Sequence, residues 1–186
     1  MNDELITLFE EFREHAKRLC GLIEASATSG RYELLSKLHV SLANLYGAAL
    51  RLPDIEPETD TDEGERPALL LRPMYDALTE KFEKWDKYWE IFDPTQQEEP
   101  VSGSLADDLT DIFRDLQKGL AISERGASVS EVLWEWRFSF KFHWGRHAMD
   151  ALRAIHWLIF DHLSADEDDD AKNPSTPPLT GESQNE

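Results

Sequence analysis

The stretch WEWRFSFKFHW, residues 134–144, places an aromatic ring at every second position: Trp134, Trp136, Phe138, Phe140, Phe142 and Trp144. A period of two is the mark of a half-buried β-strand. A strand here would be the only convincing one in the chain, and an isolated strand leaves its backbone N–H and C=O groups without partners. Read as helix, the pattern continues downstream. Trp136, Phe140, Trp144, Ala148 or Ala151, Ile155 and Leu158 fall along one side, and Trp134, Phe138, Gly145, Met149, Leu152 and Ile159 along a second. Glu131, Glu135, Ser139, Arg146, Asp150 and Arg153 then form a polar strip. The stretch is therefore read as the middle of a helix, and a helix apolar on two sides belongs against several neighbours at once.

Directly upstream, Ser128 and Glu131 form a capping box that opens this helix. Ser104 with Asp107 opens the one before it, whose stripe is Leu105, Leu109, Ile112, Phe113, Leu116 and Leu120 and whose stop is Gly126. A third helix is expected from Arg72 to Phe92 on Met74, Leu78, Phe82, Trp85, Trp89 and Phe92, with Pro73 in its first turn and Asp93-Pro94 as its end. The first runs from Asp3 to about Ala27, and the second carries Leu35, Leu38, Leu42, Leu45, Ala49 and Leu52 before Pro53. The fold class that follows is all-α: a five-helix bundle over residues 1–163 with the long aromatic-rich C-terminal helix packed centrally. Residues 164–186 read as an acidic tail too charged and too rich in Pro and Ser to pack.

The formal net charge of -19 over 186 residues disfavours nonspecific binding to nucleic acid, which needs clustered Lys and Arg. An acidic mimic of nucleic acid is the converse possibility, but residues 53–66 and 164–186 carry -12 of the total, leaving a body of ordinary charge. The single cysteine, Cys20, excludes an internal disulfide and any Cys-based zinc spacing. The first residues lack a basic region followed by an apolar run, and no window reaches the roughly 18 apolar residues of a membrane span, so a cytoplasmic location and no membrane partner are expected.

His143 and His147 stand four apart on the C-terminal helix, with Asp150 three further on, a spacing at which three side chains can converge on a metal ion. Further ligands would come from another helix, with His39 or Asp111 as candidates. The competing reading is of two histidines that pack their rings and hydrogen-bond at the border of an aromatic core. Calcium is rejected at residues 58–69, where Glu63 occupies the glycine position and Leu69 that of the bidentate Glu. No catalytic residue is assigned: Cys20 has no neighbouring base, Ser139 lies in no strand-turn-helix elbow, and Ser102-Gly103-Ser104 reads as a turn and a cap. No cofactor is implied.

Phe142, Arg146, Arg153 and Trp157 project from one third of the same helix and form a candidate partner surface, unless the bundle covers the rings. The function this favours is a non-catalytic interaction or adaptor module that binds a protein partner or itself. The alternatives are a metal-binding enzyme or sensor and the acidic mimic.

Leu105-Ala-Asp-Asp-Leu109, IFRDL at 112–116, Leu133-Trp-Glu135, Trp144-Gly145, the run from Ala151 to His156, LRLP at 50–53 and WDKYWEIFD at 85–93 together make the chain resemble the bacterial family called domain of unknown function 5063. The resemblance spans most of residues 3–163. It implies an all-helical cytoplasmic bacterial protein without an assigned activity. It also implies that positions 143 and 147 need not be histidine, so that an essential metal site is not expected there, and that Gly145 permits close approach of a neighbouring backbone.

Overall fold

The computed structural model describes residues 3–56 and 71–163. Most of the acidic connection and the expected tail lie outside the described residues. The elements are α1 (Asp3–Glu24), α2 (Arg31–Ala49), α3 (Leu71–Phe82), β1 (Lys87–Glu90), β2 (Val101–Ser104), α4 (Leu105–Glu124), α5 (Val129–Ser139) and α6 (Gly145–Trp157). A π-helical turn, Phe140–Trp144, joins α5 to α6, and a second one, Leu158–His162, extends α6. The aromatic stretch is thus helical, and residues 129–162 form one long rod. No described helix is long and apolar enough to cross a membrane.

The rod is the hub of the core. Trp136 and Trp144 are both fully buried, and the Phe12 ring of α1 lies 4.8 Å from the first and 6.3 Å from the second. Leu38, Leu42 and Leu45 of α2 and Leu109, Ile112 and Leu116 of α4 belong to the same buried core. Gly119 of α4 makes the space for Trp136: a Cβ there would lie 2.0 Å from the indole nitrogen, which donates to the Leu116 carbonyl at 3.3 Å. Both expected caps are present, the Ser128–Glu131 box on α5 and the Ser104 hydroxyl accepting the Asp107 N–H at 3.3 Å on α4.

Three expectations are corrected. The third helix ends at Phe82 rather than Phe92 and gives way to an antiparallel hairpin with Lys87 opposite Ser104 and Glu90 opposite Val101. The cause is Asp86, only 1% exposed, whose carboxylate accepts the Ser104 hydroxyl at 2.9 Å and the Ala106 N–H at 2.8 Å. A carboxylate satisfied at the positive end of α4 fixes the chain there, and Glu83, at φ 51°, makes the break. Trp89 and Phe92, expected in the helical stripe, are consequently 72% and 63% exposed.

The second correction concerns Gly145. The close backbone is not a neighbouring helix but its own π turn, where the Gly145 N–H bonds the Phe140 carbonyl five residues back and a Cβ would lie 2.4 Å from that oxygen. The third concerns the faces of the rod. One residue added in a π turn rotates everything downstream by roughly 100° relative to a regular helix. Glu135 and Ser139 are therefore buried rather than continuous with Arg146 and Arg153, and Phe138 and Met149 of the second apolar side are exposed. Glu135 is met by Lys118 of α4 at 2.9 Å.

Candidate metal centre

Asp108, Asp111 and Asp115 are spaced by three and four residues along α4, so they share one face of that helix. That face meets His143, in the π turn, and His147, in the first turn of α6. The Nδ1 atom of His143 is 2.7 Å from an Asp115 oxygen, and the Nδ1 atom of His147 is 2.8 Å from an Asp108 oxygen. An ionised carboxylate only accepts, so each neutral ring carries its hydrogen on Nδ1 and leaves the Nε2 lone pair free. Both lone pairs face one further carboxylate. Asp111 Oδ2 lies 3.7 Å from His143 Nε2 and 3.5 Å from His147 Nε2.

With both rings neutral these three atoms are acceptors that could hold a cation between them, and the Arg114 guanidinium reaches two of them, Asp111 and His143 Nε2. Among the described residues, Asp111, His143 and His147 form the group of metal-ligating types whose ligand atoms all lie within 4.8 Å of one another. A tetrahedral ion with bonds of about 2.0–2.1 Å separates its ligand atoms by about 3.3–3.4 Å, close to the two distances from Asp111, and the two ring nitrogens lie within 4.8 Å of each other. Carboxylates on the far nitrogens are the usual device for fixing the tautomer and basicity of metal-bound histidine. Arg114 meets this acidic cluster from α4 itself, its Nη1 pairing with Asp111 at 2.8 Å.

The supporting groups are held in turn. The Tyr88 hydroxyl, brought by the hairpin, donates to Asp108, and Tyr88 reaches it because Gly103 opposite has no side chain: a Cβ there would lie 2.5 Å from the phenol ring. Burial and the adjacent carboxylate push the Tyr88 phenol up, so it stays a donor. Burial also pushes Asp108 up, against the pull of its bonds from His147 and Tyr88. The Asp108 hydrogen bond raises the His147 ring above the ordinary histidine range, so a proton competes with any metal for that ring.

Of the expected ligands, His143 and His147 converge and Asp150 does not. Asp150 turns to the hairpin, where it shares a hydrogen bond with Glu90 and lies 3.8 Å from Arg153, and Asp111 takes the place assigned to it. His39 lies elsewhere, with its ring 5.7 Å from that of His156. Asp108 and Asp115 escaped the sequence reading. Their signal was an acid within the apolar stripe, Asp108 beside Leu105, Leu109 and Ile112, repeated at helical spacing. Cys20 is 2% exposed and its thiol is pushed up to about 12 by burial, which disables it as a nucleophile. The Ser139 hydroxyl donates to the Glu135 carbonyl of its own helix at 2.8 Å.

The candidate partner surface divides. Arg146 stacks over the Phe92 ring at 4.6 Å, and Arg153 donates to the Trp89 carbonyl at 3.2 Å, so both join the hairpin. Trp157 and Arg153 line a cleft of about 300 Å³ with Trp85, Tyr88, Trp89 and His162. Phe142 pairs instead with Phe138, ring centres 4.9 Å apart. The bundle covers neither Phe142 nor Trp157, each 58% exposed.

Among solved structures, the chain is similar to the crystal structure of protein BF1032 from Bacteroides fragilis, with 20% identity, a TM-score of 0.70, and coverage of 83% of this chain and 93% of that one. At that identity the likeness shows a shared fold. No curated protein matches the chain. The model of the family described as domain of unknown function (DUF5063) matches residues 4–161, nearly all of the helical body, and the chain belongs to that family.

Proposed function

We propose that this protein binds a divalent transition metal through His143 Nε2, His147 Nε2 and Asp111, and that it works as a metal-dependent enzyme or sensor. The observation that supports it is the pair of histidines oriented by Asp115 and Asp108 so that both free nitrogens face Asp111 at 3.7 and 3.5 Å. Two imidazoles with one carboxylate suit zinc or another late first-row ion and are a poor set for calcium or magnesium. Three protein ligands leave a fourth tetrahedral position for water or a ligand, the arrangement of reactive rather than structural zinc. A zinc ion held by these three residues would act as a Lewis acid and would lower the pKa of a water beside it to about 7. The side chains of His143, His147 and Asp111 are 36%, 26% and 20% exposed, so solvent reaches the centre.

Elemental analysis of protein purified without a histidine tag tests this reading. Roughly one equivalent of transition metal is expected in the wild type, and its loss in His147→Ala and Asp111→Asn. Asp150→Asn keeps the metal, because Asp150 faces Glu90. Metal-free wild-type protein that also fails to take up added zinc overturns the reading.

A second reading, the interaction module, is supported by the exposed rings of Trp89, Phe92 and Trp157 interleaved with Arg146 and Arg153. Trp with Arg is the pairing enriched at binding hot spots. The partner this face suits is a protein segment bearing acidic and apolar side chains, whose carboxylates meet the two guanidinium groups. Such a partner loses affinity at least tenfold on Trp157→Ala or Arg153→Glu. Equal retention by both variants, with a monomeric wild type in light scattering, overturns this second reading.

A further inference from the structure

Arg114 of α4 reaches into the same cluster, and its contacts are those of a cation already in the metal's place. Its Nη1 donates to Asp111 at 2.8 Å, its Nη2 lies 3.4 Å from His143 Nε2, and its Nε is 3.5 Å from Asp115. The first two partners are proposed ligands, and the contacted nitrogen of His143 is the one whose lone pair is free for a metal. An imidazole nitrogen offers one lone pair, so it cannot accept from a guanidinium and bind an ion together. The side chain is 43% exposed, which gives it room to withdraw into solvent while α4 stays in place. Lys141, by contrast, sits over the Phe142 ring at 5.1 Å and is near the centre in sequence without belonging to the cluster.

From this geometry we infer that Arg114 is an exchangeable internal cation: it holds the aspartates and His143 together when no metal is bound, and the metal must displace it. The inference rests on the metal reading above and adds how the site is regulated. Arg114 lowers affinity for the ion and preserves the ligand arrangement in its absence. A site of this kind fills only above a threshold of free metal, the behaviour of a sensor or of a reversibly loaded enzyme.

Zinc titration against a chromophoric chelator decides it, using the full chain as wild type, Arg114→Gln, Lys141→Gln and the double variant His143→Ala/His147→Ala. Arg114→Gln is expected to bind zinc at least about tenfold more tightly than wild type, equivalent to about 1.4 kcal/mol. Lys141→Gln stays within about twofold of wild type, since a screened surface charge contributes little. On the unmutated chain, the Arg114 Nε resonance shifts in step with zinc occupancy. Unchanged or weaker binding by Arg114→Gln, equal tightening by Lys141→Gln, or an Nε resonance unmoved at full occupancy overturns the exchange while leaving the metal site standing. Wild type and Arg114→Gln both binding no better than the double histidine variant removes the site itself, and the exchange with it.

Discussion

Gly145→Ala separates a rod interrupted by a π turn from a regular helix, because the two predict opposite signs. In the interior of an ordinary helix, replacing Gly by Ala stabilises by about 0.8–1 kcal/mol. At position 145 the new methyl group would lie 2.4 Å from the Phe140 carbonyl oxygen and 3.0 Å from the Phe140 ring. Neither can retreat easily. The carbonyl accepts the Gly145 N–H, and the ring packs on Trp144 at 4.8 Å and on Tyr46 at 5.2 Å. Overpacking of this kind costs about 1–3 kcal/mol. At about 2–4 °C per kcal/mol for a chain of this size, the melting temperature falls by about 2–12 °C. Thermal unfolding followed at 222 nm, with zinc removed, measures it. A melting temperature equal to or above wild type would refute the π turn and with it the placement of His143 relative to His147.

Two further predictions follow from the hairpin and from the centre. Burial and then the Asp150 carboxylate raise Glu90 above its ordinary 4.5, only partly offset by Arg153. A raised folded value means the folded chain keeps a proton that the unfolded chain has lost, so the stability linked to Glu90 is full below pH 4.5 and is lost as pH rises through the folded value. Glu90→Gln, which mimics the protonated acid, should therefore melt higher than wild type at pH 7, with the difference shrinking below pH 4.5; a pH-independent difference, or a lower melting temperature at pH 7, contradicts this. Zinc at about 100 times its dissociation constant stabilises by about 2.7 kcal/mol, which raises the melting temperature by about 5–11 °C. His147→Ala should show none of that rise, and an equal rise in the variant would place the ion elsewhere.

Most of the architecture could be read from the sequence because it lies in apolar periodicity and capping chemistry, both local. The stripes of α1, α2 and α4, the Ser128–Glu131 box and the central position of Trp136 and Trp144 follow from these. The hairpin could not be read the same way. Met74, Leu78, Phe82, Trp85, Trp89 and Phe92 keep helical spacing to the end, and what breaks it is a contact between Asp86 and Ser104, eighteen residues away. The π turns were hidden for a related reason: nothing local in Phe140 to Trp144 distinguishes five residues per bond from four. For the site, the histidine pair was visible as an i,i+4 spacing, whereas Asp108, Asp111 and Asp115 belong to another helix. Their register against His143 and His147 is set by the packing of α4 on α6; the spacing alone puts Asp150 with the histidines and leaves Asp111 as one candidate beside His39, whereas the structure brings Asp111 to them and turns Asp150 toward Glu90.

The most direct test of the central claim is anomalous diffraction at the zinc edge from crystals of the unmutated chain grown with zinc. One strong peak is expected within about 2.0–2.2 Å of His143 Nε2, His147 Nε2 and an Asp111 oxygen, with the Arg114 guanidinium withdrawn from His143. Fully ordered side chains at those positions with no anomalous peak between them, in crystals grown at millimolar zinc, would contradict it.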